Sequence, residues 1–387
     1  MIIISDPKNC CGCSACESIC PHKAISMQPD VLGFLYPVVD KNKCTNCNLC
    51  NEVCAFNENY KKNIIENVEV YAVRHKEITE IDKSRSGAMF TAITDYIIKN
   101  GGSIYGAGYK EHFIVIHKRA TTREERDEFR GSKYVQSELN GIFDSVRKDL
   151  KDGLLVCFSG TPCQTAGLRS FLERKRTDTT NLVVVDIVCH GVPSPYIWRD
   201  YLSYIEKKNG GTATAIDFRD KLEFGWTAHL ESFTISGKKV ATSTYTTLFY
   251  KHIMFRHSCG NCHYTNTHRP SDITIADFWG WENVDAEFNK DDKGVSLVLI
   301  NSTKGKEIFN KIKDNIHVIK TDIDHAMQPN LQCPSSISPQ RLAFEKEYKH
   351  KGFLFVMKKY GKTRKRNKFI EMLQKIKWNI KHRILKS

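Results

Sequence analysis

Cys10, Cys13, Cys16 and Cys20 follow one another at spacings of two, two and three residues, ending in Pro21. Cys44, Cys47, Cys50 and Cys54 repeat the pattern 34 residues later. Three thiolates in one tight loop can meet three corners of an iron–sulfur cubane, while the fourth Cys of each run points away and ligates the other cluster. That rule predicts Cys10, Cys13, Cys16 and Cys54 on one [4Fe–4S] cluster and Cys44, Cys47, Cys50 and Cys20 on a second, with Cys11 spare. Structural zinc also uses C-x2-C pairs, but it needs neither the third Cys at x2 nor the fourth at x3, twice over. The second run ends in Ala55 where a Pro is usual, which leaves the ligands intact.

Six cysteines remain. Cys157, in "LLVCFSG", alternates like a strand interior and reads as a buried small hydrophobe; Cys333 has no partner nearby. Cys163 and Cys189 each follow an expected strand, where residues at the carboxyl ends of parallel strands converge. With the C-x2-C pair Cys259 and Cys262 they make four ligands, enough for a third cluster or a zinc site. Four unrelated cysteines is the competing reading, since no local motif binds them together.

The elements that must position these groups fall into three segments. Residues 1–59 hold nine of the fifteen cysteines and form the expected two-cluster domain, an α+β ferredoxin-like unit. Residues 60–350 carry short apolar runs that end in Gly ("GSIYGAGY", "GLLVCFSG", "NLVVVDIVCHGV") between helix-like stretches. "GAMFTAITDYIIKNG" is one such helix, with Met89, Ile93, Tyr96 and Ile97 on one face and a Gly stop. The alternation predicts a mixed α/β domain with a partly parallel sheet, turning to strands and a hairpin ("SFTISGKKVATSTYTT") after about residue 215. Residues 351–387 form a basic tail.

The net charge of +14 is unevenly placed: residues 358–387 hold twelve Lys and Arg against Glu371 alone, so the body is close to neutral. A body without basic, aromatic-interleaved patterning argues against nucleic-acid binding. In the tail, Phe369, Leu373, Ile376, Ile380 and Ile384 recur at steps of three and four, one apolar stripe on a basic helix. Such a helix suits an anionic bilayer surface, packs on its own domain with a solvated basic face, or meets a partner with an acidic docking face. "MIIISDP" is too short an apolar run for a secretory leader. No apolar run reaches the roughly 18 residues of a membrane span. Clustered cysteines point to a reducing compartment. The expectation is a cytoplasmic protein, with peripheral contact on the inner membrane face through the tail.

Several stretches together resemble the coenzyme F420 hydrogenase/dehydrogenase beta-subunit family, in its bacterial form with an N-terminal two-cluster ferredoxin. They are "SRSGAMFTA", "RGSKYVQS", "FSGTPCQTAGLR", "VCHGVPSP", "FRDKLEFGW" and "CGNCHYTNTHRPSDITIADFWG", in family order over roughly residues 1–350. The resemblance implies an FAD-containing α/β catalytic domain with a [4Fe–4S] cluster close to the flavin, and it tips Cys163, Cys189, Cys259 and Cys262 toward a third cluster. It also implies that FAD is held by Ser86, Gly87 and Ala88 and by the loop at Gly160 and Thr161. Each is a small-residue turn opening a helix, where free N–H groups suit a pyrophosphate; unaided, both read as ordinary helix N-caps. In "GSKYVQS", beside Ser132, Lys133 can pair with a phosphate or stand as a solvated lysine. The family turn is commonly Ser-Gly-Gly, and here Ala88 fills the third position.

The expected function is an FAD- and iron–sulfur-dependent oxidoreductase. A low-potential donor, such as ferredoxin or a partner subunit, feeds the N-terminal clusters, and electrons pass to the flavin and on to an unidentified small-molecule substrate. Candidate groups beside the flavin are His190, which can protonate substrate or cap a loop, and Asp277 and Trp279, which can line the pocket or belong to the core. The alternative is an electron-transfer subunit between a partner protein and a soluble carrier, ferredoxin or deazaflavin, without small-molecule chemistry of its own.

Overall fold

The computed structural model describes residues 1–57 and 68–362. Most of the linker "NENYKKNIIENVE" and the stripe from Phe369 to Ile384 lie outside them. The N-terminal unit comprises α1 (Ala15–Ile19), β1 (Ile25–Pro29), β2 (Leu35–Val39) and α2 (Leu49–Glu52). β1 and β2 form an antiparallel ribbon between the two cysteine loops.

The second unit continues with β3 (Glu69–His75), α3 (Ile78–Asp82), α4 (Met89–Lys99), β4 (Ser103–Lys110), β5 (Ile114–Ala120), α5 (Arg123–Asp127) and α6 (Ile142–Lys151). Then come β6 (Val156–Gly160), α7 (Pro162–Arg174), β7 (Leu182–Ile187) and α8 (Pro195–Asn209). They are followed by β8 (Ala213–Asp217), β9 (Glu231–Ile235), β10 (Lys238–Thr242), β11 (Ile273–Asp277), β12 (Ser296–Ile300) and β13 (Ile316–Thr321).

Among the described residues, eight strands form one sheet in the order β13-β3-β12-β11-β7-β6-β4-β5. The centre, β11-β7-β6-β4, is parallel. The flanks pair antiparallel, β5 on β4 at one side and β12, β3 and β13 at the other. β7 explains the continuous apolar run "LVVVDI": a central strand covered on both faces has no solvent side to alternate with, and Leu182 to Asp186 are all buried. The expected hairpin is β9-β10, with β8 on its other side in a small antiparallel sheet.

The N-terminal unit is not a bead on a string. Ile19, Val53 and Phe56 share one core with Phe143, Leu168 and Phe171 of α6 and α7. Ser170 Oγ donates to Val53 O at 2.8 Å, and the Tyr264 hydroxyl donates to Ala55 O. At the other end, the helix Arg341–Tyr360 breaks at Gly352, yet Phe353, Val356 and Tyr360 beyond the break are buried. The first part of the expected tail, up to residue 362, therefore packs on the body.

Candidate electron-transfer site

The cysteines gather into three rings. Cys20, Cys44, Cys47 and Cys50 line one cavity. Cys10, Cys13, Cys16 and Cys54 line a second, so each run sends its fourth thiol to the other group. Cys163, Cys189, Cys259 and Cys262 line a third. Cys163 lies in the first turn of α7, Cys189 just past β7, and Cys259 in the short helix His257–Asn261. Among the described residues, no group of three or more His, Cys, Asp or Glu side chains is placed to hold a single metal ion; the thiols line the three cavities. N–H groups already point at several sulfurs: Ile2 N to Cys50 at 3.2 Å, Ala24 N to Cys20 at 3.3 Å and Val192 N to Cys259 at 3.3 Å. Backbone donors of this kind orient a thiolate and tune what it binds.

The rings are neighbours. Cys11 and Phe56 line both the ring of Cys10 and the ring of Cys163. Cys11, spare by spacing, is buried, and the Cys13 and Cys163 thiols raise its pKa well above the ordinary value. Its thiol draws Cys163 down to about 7. The exposed member is Cys47, in the ring of Cys20.

A cavity of about 320 Å³ opens at the carboxyl ends of β6, β7 and β11, the usual ligand crevice of an open α/β sheet. It shares Cys189, His190, Gly191, Val192 and Asn330 with the third ring. Ser86, Ala88, Ser132, Lys133, Gly160 and Thr161 line it, as do His190, Asp277 and Trp279. Gly87 stands behind the wall. A Cβ there would meet Val73 O at 2.1 Å and Ser296 N at 2.7 Å, so glycine is needed for the turn to lie against β3 and β12. Ala88 is the N-cap of α4 in the left-handed region, φ 66°, and no side chain caps the helix. Met89 and Phe90, in the first turn where N–H groups lack intrahelical partners, line the cavity. Beside them Arg85 is held by Asp217 through Nη2, while its buried Nε and Nη1 have no partner among the described residues.

Other expected residues are already engaged. Thr161 N and Oγ1 both donate to Gln164 Oε1 at 3.0 Å, so the N-cap reading of this turn is met. Lys133 is not a solvated lysine: its ammonium turns inward to Glu128 O and to Arg130 O at 3.1 Å, and burial lowers its pKa to about 7. Asp277 pairs with Arg219 and accepts from Trp226 Nε1 at 3.4 Å. Burial alone would raise its pKa, but Arg219 outweighs that and holds it down. It is an ionised, paired carboxylate rather than a free acid. Trp279 is 37% exposed and stacks on Trp226 at 4.8 Å, a pocket-mouth residue and not core. His190 Nε2 meets His252 Nε2 at 2.7 Å, and burial first, then His252, lowers its pKa to about 4.

Sequence reasoning missed three groups. His117 lines the cavity, joined to Ser159 O at 3.0 Å and Ser137 Oγ at 2.9 Å. Arg219 carries no role that "FRDKLEFGW" alone would assign it, and Arg256, three residues before Cys259, reads in the chain as an ordinary basic residue.

Cysteine rings in a dicluster module, fused to an open α/β sheet with a cavity at its strand ends, define an iron–sulfur protein of the oxidoreductase kind. Residues 9–57 match the 4Fe-4S dicluster domain, and residues 154–326 match the C-terminal region of the coenzyme F420 hydrogenase/dehydrogenase beta subunit. The likeness to that family thus rests on residues 154–326, its beta subunit's C-terminal region, with a dicluster domain preceding it in the chain. No curated protein matches the sequence. Among solved structures, it is similar to a chain of the F420-reducing [NiFe] hydrogenase complex from Methanosarcina barkeri in a xenon-derivatised form. The two are 15% identical, with 77% of this chain and 91% of that chain covered and a TM-score of 0.43.

Proposed function

We propose that this chain is an FAD-dependent iron–sulfur oxidoreductase with three [4Fe–4S] clusters. Cys20, Cys44, Cys47 and Cys50 hold the outer one, Cys10, Cys13, Cys16 and Cys54 the middle one, and Cys163, Cys189, Cys259 and Cys262 the inner one. The observation that carries the reading is contiguity: the middle and inner rings share Cys11 and Phe56, and the inner ring shares Cys189 and His190 with the large cavity. Flavin, when bound, exchanges single electrons on one side and a hydride on the other. The uncapped start of α4 and the two unpaired nitrogens of Arg85 suit its pyrophosphate. His190 and Asp277 orient groups around it: at neutral pH the first is an uncharged imidazole and the second a paired carboxylate. An outer ring reaching the surface at Cys47 suits a low-potential protein donor, either a ferredoxin or a partner subunit.

Anaerobically reconstituted protein should contain about twelve irons, four per cubane, and one extractable FAD. Cys259→Ser with Cys262→Ser should remove about four irons and leave flavin bound but no longer reducible from the N-terminal clusters. Iron unchanged in that variant, or FMN in place of FAD, would overturn the assignment. The alternative, an electron-transfer subunit without its own substrate, predicts flavin reoxidation by a carrier protein or deazaflavin alone.

Among the described residues, no helix is long and apolar enough to cross a membrane. Peripheral docking through the basic tail is carried by its sequence pattern, and anionic vesicles that pellet full-length protein but not a chain ending at Tyr360 would support it.

A further inference from the structure

Arg256 is completely buried. A guanidinium cannot shed its proton in a protein, and an unpaired buried charge is costly, so something must answer it. Its nitrogens are satisfied by neutral acceptors: Nε donates to Cys10 O at 2.8 Å, Nη1 to Gln136 Oε1 at 3.0 Å and Nη2 to Leu35 O at 2.9 Å. Nη2 also lies 3.5 Å from Cys10 Sγ, and the guanidinium covers the Tyr36 ring at 4.2 Å. Among the described residues, no carboxylate stands within ion-pair distance of it. The ionisable groups with the largest influence on it are Cys10, Tyr36, Cys11 and Cys259. Arg256 also lines the inner ring's cavity, and Val192 and Cys259 bracket its backbone at 3.0 and 3.1 Å.

The surroundings are built to admit this side chain. Gly12 has φ +71°, and a Cβ on it would stand 2.8 Å from Arg256 Nη1 and 3.0 Å from Gln136 Nε2. Gln136 in turn donates to Cys11 O at 3.0 Å.

We infer that Arg256 is the fixed counter-charge of the middle and inner clusters, raising their reduction potentials above that of the outer cluster so that electrons run inward. The inference rests on the three-cluster reading. A cubane bound by four thiolates is an anion, and reduction adds one further negative charge. A permanent cation in a low-dielectric wall therefore favours the reduced form. The outer ring, walled by Ala24, Val39 and Asn46 and open at Cys47, receives no contact from Arg256.

The test uses full-length protein, reconstituted anaerobically and titrated electrochemically with EPR detection. The outer signal is identified by its loss in Cys47→Ser. Arg256→Gln removes the charge. Gln136→Glu leaves Arg256 in place and neutralises it with an adjacent carboxylate, so it carries the test if the first variant fails to load iron. Both should disfavour reduction of the middle and inner clusters at least tenfold, ~59 mV for a one-electron couple, with the outer midpoint unchanged. Arg256→Lys should keep the parent midpoints. Unshifted inner midpoints in either variant at full iron content, or an equal shift in all three clusters, would overturn the inference. Parent protein with only about eight irons would instead refute the third cluster, and the middle cluster's midpoint would still report on Arg256 through Cys10.

Discussion

Gly167 of α7 leaves room for Cys13: a Cβ on Gly167 would lie 2.8 Å from both Cβ and Sγ of that cysteine. Cys163 sits one turn earlier on the same helix, so α7 carries an inner-ring thiol and a seat for the middle ring. Alanine in place of a helical glycine ordinarily stabilises by ~0.5–1 kcal/mol. Here the methyl enters a closed contact, and overpacking of this kind costs about 1–3 kcal/mol. Gly167→Ala should therefore lower Tm and weaken retention of about four irons, those of the middle ring. A raised Tm at full iron content would show that the Cys13 loop can yield.

Crossed ligation has its own chemical signature. A cluster shields its thiolates from alkylation, so Cys54→Ser should make Cys10, Cys13 and Cys16 reactive while Cys47 stays protected. Cys20→Ser should do the reverse. Mass spectrometry after anaerobic alkylation reads both, and labelling of Cys44, Cys47 and Cys50 in the Cys54 variant would mean that each run binds its own cluster.

Ala88 holds φ 66° at the start of α4. Left-handed backbone costs a residue with a β-carbon ~1–2 kcal/mol, and glycine gives back ~0.5–1 kcal/mol in chain entropy. Ala88→Gly should thus stabilise by up to about 1 kcal/mol, a rise of roughly 1–3 °C in Tm. A fall in Tm would show that the buried methyl's contacts outweigh the backbone term.

How much of this was legible in the chain depends on how local each determinant is. The two N-terminal rings could be read residue by residue, because cubane geometry is written into the spacing of short loops. The inner ring could be assembled only by asking where strands end, since Cys163, Cys189 and Cys259 come from three separate elements. The pairing of Asp277 with Arg219 could not be read from the chain, because the two lie in separate segments and a distant ion pair leaves no periodic trace. Gly87 reads as a cofactor glycine in a small-residue turn, and the chain gives no sign that β3 and β12 also leave no room for a Cβ there. A basic residue beside a C-x2-C pair looks solvated until the N-terminal unit closes over it, which is why Arg256 escaped notice.

Acid should weaken the fold through its buried imidazoles. Burial lowers His117 to about 4 from an ordinary 6.5. Over that interval the unfolded chain binds more protons than the native one, so stability rises with pH and is lost as pH falls from 6.5 toward 4. The slope approaches about 1.4 kcal/mol per pH unit for each such group. His190, also near 4, and His229, near 3, act in the same direction. Denaturant unfolding of loaded protein between pH 7 and 5.5 should show this fall, and His117→Gln should flatten it by about one proton. An unaltered slope in the variant would mean that His117 is charged in the native state.

The core shared by α1, α2, α6 and α7 has a consequence for how reducing equivalents arrive. Carriers on flexible tethers deliver by swinging between a loading station and a discharge station. Here Phe56, Val53 and Ile19 are buried against Phe143 and Phe171, and Ser170 and Tyr264 fasten the backbone at Val53 and Ala55. The dicluster module is thus bolted down as a fixed wire. On the proposed route, a diffusing donor would come to the module at Cys47 while a partner subunit would stay docked there, so encounter or docking, not domain motion, would be the control on throughput.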